Sequence, residues 1–166
     1  MTKTVAIGCD HAGFPYKEAI VNLLKDKGFA VRDKGTHSAE CVDYPDYIHP
    51  VAEDIKTEMA CCGIIMCGSG NGAAMTANKY QHIRAALCWT AELAALGRRH
   101  NNANVLAIPV RFVDEETALA MVDHFINTDF EGGRHERRVK KMCPSPFSAQ
   151  TDAAYSPADD NPELKY

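Results

Sequence analysis

The chain has 166 residues, the size of one domain, and 46% of them are apolar, enough for a core that needs no disulfide or metal to hold it. A net charge of −4 argues against general nucleic-acid binding. No apolar run approaches the ~20 residues of a membrane span, and the opening MTKTVAIGCD holds too short an apolar run for a secretory signal.

Thr4 to Gly8 reads as a first buried strand. An amphipathic helix follows over Pro15 to Lys27, with Ile20, Leu23 and Leu24 on one face and Gly28 as its stop. Phe29 to Arg32 is a short second strand, and Thr36 to Pro45 is polar and turn-rich. Tyr47 to Met59 repeats Ile48, Val51, Ala52 and Ile55 at helical spacing, with Pro50 near its start, where proline is tolerated best. Gly63 to Met66 is the third strand and a helix opens at about Gly72. Arg84 to Cys88, Ala91 to Arg99 and Val105 to Ile108 read as strand, helix and strand. Asp114 to Ile126 is a helix whose acidic start, Asp114-Glu115-Glu116, suits its N-terminus. A basic helix spans about Gly133 to Met142.

Short, continuous apolar strands alternating with helices predict a three-layer α/β/α, Rossmann-like domain around a five-stranded parallel sheet. That domain should occupy residues 1–143. From residue 144 the chain is proline-rich and without helical period, an expected extended or disordered tail over 144–166. It could instead pack across a neighbouring subunit. The seven cysteines, odd in number and with no Cys-x-x-Cys pair, read as free thiols of a reducing cytoplasm rather than as a disulfide framework or zinc site.

In an open parallel sheet, ligands bind beyond the C-terminal ends of the strands. The first strand delivers Gly8-Cys9-Asp10-His11-Ala12-Gly13 there, and the third delivers Cys67-Gly68-Ser69-Gly70-Asn71-Gly72. If these strands are neighbours, a carboxylate, an imidazole, a thiol and a glycine cradle meet in one crevice. Cys67 is a candidate base or nucleophile, because a helix N-terminus lowers a thiol pKa from its usual value of about 8.5. Cys9, Cys61, Cys62 and Cys88 read instead as small buried hydrophobes. The glycine loop lacks the lysine of a nucleotide-binding P-loop and is not G-x-G-x-x-G, so it suits an oxyanion or phosphate, or is only a tight turn. Asp10 could equally cap the following helix.

His100, in Arg98-Arg99-His100-Asn101-Asn102, could act as acid or base near neutral pH, or belong to a solvated basic helix end. It precedes the fifth strand, on the wrong edge of the sheet for the crevice, and would reach an active site only by crossing to a partner subunit. Arg134 and Arg138, four apart on one helix face, suit a phosphate, and Arg111 is a third candidate cation.

Eight motifs, GCDHAG at 8–13, DKGTHS at 33–38, DYPDY at 43–47, CGSGNG at 67–72, ANK at 77–79, IRAALC at 83–88, RRHNNANVLA at 98–107 and EGGRHERR at 131–138, resemble in order those of the ribose-5-phosphate isomerase B family. The wider family includes allose-6-phosphate and galactose-6-phosphate isomerases. The resemblance runs from about residue 3 to 142 and implies aldose–ketose isomerisation of a sugar phosphate with neither metal nor organic cofactor. It implies Cys67 as the base that moves a proton between C2 and C1 through a cis-enediolate, and His100 as the group that opens the furanose ring. Asp10 would assist at the ring oxygen or hydroxyls. Gly68, Ser69, Gly70, Asn71 and Gly72 would cradle the oxyanion. His11, Arg111, Arg134 and Arg138 would bind phosphate, and Asn101 the sugar. The site would lie between two subunits of a homodimer or homotetramer. Some relatives use a glutamate further along the loop, where this chain has Met75, so it resembles the cysteine type. Ser69 stands where relatives often carry threonine, keeping the hydroxyl. A hexose phosphate substrate, or a non-catalytic phosphosugar-binding module on the same fold, are the alternatives.

Overall fold

A computed structural model describes residues 2–142; the expected tail lies outside them. The described elements run β1 (Thr4–Cys9), α1 (Phe14–Asp26), β2 (Ala30–Asp33), α2 (Tyr44–Lys56), β3 (Cys62–Cys67), α3 (Asn71–Ala77), β4 (Ala85–Leu87), α4 (Ala91–Asn101), β5 (Val105–Pro109), α5 (Glu115–Asn127) and α6 (Arg134–Lys140). The strands form one parallel sheet in the order β2-β1-β3-β5-β4. The chain winds outward from β1 to β2 and then crosses to β3 on the other side. The switch point therefore falls between β1 and β3, where an open sheet leaves a crevice.

Strand periodicity divides the core into two layers. Val5, Ile7, Cys9, Ile64, Met66, Leu106 and Ile108 face one way, against Ile20 and Leu24 of α1, Ala94 of α4 and Met121, Val122 and Phe125 of α5. Ala6, Ile65, Cys67, Val105 and Ala107 face the other way, against Ile48, Val51 and Ala52 of α2 and Ala73, Ala74 and Ala77 of α3. Each large apolar side chain fully buried here contributes roughly 1.5–3 kcal/mol of transfer free energy. On the second face the sheet carries glycine at two adjacent positions. A β-carbon on Gly63 would stand 2.6 Å from Val51 Cγ1, and one on Gly8 2.8 Å from Val51 Cγ2, so α2 sits close because neither has one.

Helix ends follow their local chemistry. Gly28 takes φ +84, and the N–H groups of Gly28 and Phe29 donate back to the carbonyls of Lys25 and Leu24, stopping α1 where the glycine predicted. Asp114 accepts from Thr117 N–H at 2.8 Å, and Thr90 from Leu93 N–H at 3.2 Å, capping α5 and α4.

Two boundaries differ from expectation. Helix α2 begins at Tyr44, not Tyr47, because extended Asp43 precedes it and Pro45 falls in its first turn, where a missing N–H costs nothing. Pro50 is consequently inside the helix, and α2 ends at Lys56, before Glu58 turns left-handed at φ 58. Strand β4 is shorter than predicted, since Asn104 draws the Arg84 N–H to its Oδ1 at 2.8 Å.

Candidate functional site

β1 and β3 are neighbours, with Cys9 in register with Met66, so the loops after them do share one crevice. Asp10 N–H donates to the Met66 carbonyl at 3.4 Å. The Asp10 carboxylate is 5% exposed, and its Oδ1 accepts from Ala12 N–H at 2.9 Å and Gly13 N–H at 3.2 Å. Asp10 therefore shapes the loop that leads into α1 instead of capping the helix, whose N-cap is Gly13. His11 Nδ1 accepts from Val42 N–H at 3.3 Å, which fixes its tautomer with the proton on Nε2.

Cys67 ends β3, only 4% exposed, on the sheet face covered by α2 and α3. Beyond it the chain turns through Gly70 at φ +72, a left-handed conformation that a side chain would strain, and starts α3 at Asn71. Ser69 Oγ accepts from Asn71 N–H at 3.4 Å. Among the described residues the N–H groups of Ser69 and Gly70 have no acceptor. The first-turn N–H groups of α3, Gly72 included, lie outside the intrahelical ladder. These donors form an anion cradle directly after the thiol.

Strand β5 contributes the cation. Val110 N–H donates to the Cys67 carbonyl at 3.2 Å and Arg111 N–H to the Gly68 carbonyl at 3.0 Å. The Arg111 side chain then lies across Gly68: a β-carbon there would meet its Cδ and Nε at 3.2 Å. Tyr44, at the start of α2, packs its phenol ring on Gly72 and walls the opposite side.

The remaining predicted residues gather elsewhere. His100 and Asn101 lie in the last turn of α4, just before β5 begins at Val105. That is the N-terminal edge of the sheet, about 15 Å from the crevice at ~3.3 Å per strand residue. There the His100 ring stacks on His135 of α6, with centroids 4.1 Å apart and planes 8° from parallel. His100 Nε2 stands 3.9 Å from Glu131 Oε2, and Arg134 Nε donates to His135 Nε2 at 3.4 Å. Burial pushes the His135 imidazole below its ordinary pKa, and the His100 and Arg134 charges push the same way. Arg134 and Arg138 share α6 with it. His100, Glu131 and His135 bring possible metal-ligand atoms within 4.8 Å of one another. With a guanidinium already on His135, this cluster suits an anion better than a cation. Asn101 also borders a pocket of about 650 Å³ along β4, which includes none of the crevice residues.

Thus the structure joins Cys67, Gly68, Ser69, Gly70, Asn71, Gly72, Asp10, His11 and Arg111 at one end, and His100, Asn101, Arg134 and Arg138 at the other. Sequence reasoning gave no role to Tyr44 or His135, although each sits inside a quoted motif. One cysteine reading also changes. Cys9 and Cys88 are buried, and burial pushes both thiols up to about 12. Cys61, in contrast, is exposed, because it precedes β3 and its backbone has not yet entered the sheet.

Among the described residues no helix is long and apolar enough to cross a membrane. The family model described as Ribose/Galactose Isomerase matches residues 5–142. Ribose-5-phosphate isomerase B of Escherichia coli is 44% identical over 140 residues, 84% of this chain and 94% of that protein. A ribose-5-phosphate isomerase structure from Thermotoga maritima superposes with a TM-score of 0.83 at 48% identity, covering 86% of this chain and 99% of that one. The type B ribose-5-phosphate isomerase of Trypanosoma brucei gives 0.82 at 41%, covering 85% and 97%. With a matched model over most of its length and relatives this similar, the chain belongs to the ribose/galactose isomerase family.

Proposed function

We propose that the protein interconverts D-ribose 5-phosphate and D-ribulose 5-phosphate in the cytoplasm, as a homodimer or homotetramer whose active sites each combine the crevice of one subunit with the His100–α6 cluster of another. The observation that carries the chemistry is the Cys67 thiol at the tip of β3, immediately before a loop whose Ser69 and Gly70 N–H groups have no acceptor among the described residues. Removing a proton next to a carbonyl needs one base and donors aimed at the oxygen that becomes negative. Cys67 takes the proton from C2 and returns it to C1. The N–H groups of the Gly68 to Gly72 loop, with the Ser69 hydroxyl, stabilise the enediolate.

From the partner, His100 opens the furanose ring by moving a proton to the ring oxygen, and Asp10 orients the hydroxyls. Arg134 and Arg138 of the partner bind the phosphate with His11 and Arg111, and Asn101 holds a sugar hydroxyl. The edge separation within one chain supports the shared site. Neither cluster alone contains both a base and a ring-opening group.

The test is NMR of the purified protein with ribose 5-phosphate in deuterated water. Ribulose 5-phosphate carrying deuterium at C1 is expected, and Cys67→Ala should lose both conversion and label. Conversion of allose 6-phosphate or galactose 6-phosphate but not ribose 5-phosphate would overturn the pentose assignment. No conversion of any of them, with binding retained, would leave a phosphosugar-binding module.

A further inference from the structure

Cys61 and Cys62 lie at the opposite end of β3 from Cys67, and the proposed isomerisation uses neither. Their sulfurs are 3.8 Å apart, within hydrogen-bonding reach. Cys61 is exposed and Cys62 half-buried against the core. Beside Cys61 opens a groove of about 430 Å³, lined by Lys3, Thr4, Ile55, Glu58 and Met59. We propose that Cys61 is a site of reversible S-thiolation, at which its thiolate attacks a low-molecular-weight disulfide seated in this groove while Cys62 donates a hydrogen bond to that thiolate.

In the exchange the Cys61 sulfur bonds to one sulfur of the incoming disulfide and the old S–S bond breaks. The other half leaves as a thiolate and takes a proton from solvent. Cys61 is oxidised to a mixed disulfide, and the incoming molecule is reduced to one free thiol. The surroundings favour this reaction. The Cys62 hydrogen bond lowers the Cys61 thiol to about 6 against the opposition of burial, and Lys3 and Arg98 assist. Glu58 is the acidic group of the groove, and Lys3 is its cation for a carboxylate of the incoming molecule.

The mixed disulfide should persist. Cys62 is held protonated: the hydrogen bond to Cys61 and burial push its thiol well above the ordinary value. Geometry also opposes closure. Residues adjacent across a trans peptide have α-carbons about 3.8 Å apart, below the ~4.4–6.8 Å usual for a disulfide. The backbone on both sides is pinned, by Cys61 N–H to the Thr4 carbonyl at 2.9 Å and Gly63 N–H to the Asn104 carbonyl at 2.9 Å.

The test treats the full chain with oxidised glutathione from about pH 5.5 to about pH 8.5, then quenches with acid and maps adducts by mass spectrometry of the digest. One glutathionyl group on Cys61 is expected before any on Cys41, Cys67, Cys88 or Cys143, with a rate that reaches half its plateau at about 6. Without its donor, a thiol pKa returning to about 8.5 would lower the thiolate fraction at pH ~6.5 roughly seventy-fold. Greater intrinsic nucleophilicity returns about ten-fold of that, so Cys62→Ala should slow the reaction about five- to ten-fold. Cys62→Ser, which keeps a donor, should retain more of the rate. First modification at another cysteine, an unchanged rate in Cys62→Ala, or a Cys61–Cys62 bond with no glutathione retained would each overturn the proposal. Isomerase assays play no part in this readout, so it stands or falls separately from the proposed function.

Discussion

The two ends of the sheet are built in different ways. At the C-terminal end, backbone makes the site: strand register sets Cys67 beside Pro109, and hydrogen bonds from β5 fix the loop that follows. At the N-terminal end, side chains make it: two stacked imidazoles, a glutamate and the arginines of a seven-residue helix. Backbone donors set by a sheet suit the step that needs sub-ångström placement, proton transfer with a developing oxyanion. Long side chains on a short helix suit the grip on a phosphate, which tolerates more than one geometry.

The sharpest way to break this comparison is to disable each end separately. Cys67→Ala should cost about 10²–10⁴ in kcat as a lost general base, and His100→Asn should slow cyclic substrate far more than open-chain substrate. If the two ends meet across subunits, mixing and reassorting the two inactive variants should restore about a quarter of wild-type activity. Half of the dimers are then hybrids, and each hybrid has one intact site of two. No recovery in a reassorted mixture would show that one chain supplies both ends.

A smaller effect probes the backbone end. Gly70→Ala forces a side chain into a left-handed conformation and against Leu87, and should lower stability by about 2–4 kcal/mol in denaturant unfolding. The corresponding change at Gly28, also at positive φ but with open space around it, should cost only about 1–2 kcal/mol.

The smallest effect belongs to the side-chain end. The pKa of His135 is lower folded than unfolded, so the unfolded chain binds that proton first as pH falls. Stability should decline as pH drops below about 6.5 and level off below the folded pKa. His135→Phe keeps a ring in the stack and should flatten that part of the stability–pH curve. An unchanged slope would assign it to other groups.

Much of this was legible because strands and glycines write strong local signals. The β3 run into Cys67 and the glycines after it showed a strand-to-helix turn, and the neighbouring of β1 and β3 then completed the crevice. Pro50 misled because a proline inside a helix is rare, so the start of α2 was placed beside it, while Asp43 and Pro45 marked the true start. Tyr44 acquired no role because its contact with Gly72 joins residues 28 apart in sequence, and no periodicity reports such a contact. His135 sits among arginines and looked like part of a solvated basic helix. Only packing of α6 against α4 buries it. Cys61 and Cys62 are alike in sequence, and the edge of the sheet alone separates an exposed thiol from a half-buried one.

The Arg111 side chain lying over Gly68 has a consequence for how such chains drift. Any side chain at position 68 would press on the guanidinium stem, so a substitution there becomes acceptable only after position 111 has shortened or moved. Residue 111 can vary on its own, but residue 68 cannot. The two positions should therefore change in a fixed order across descendants, with the cation lost or relocated before the glycine is replaced.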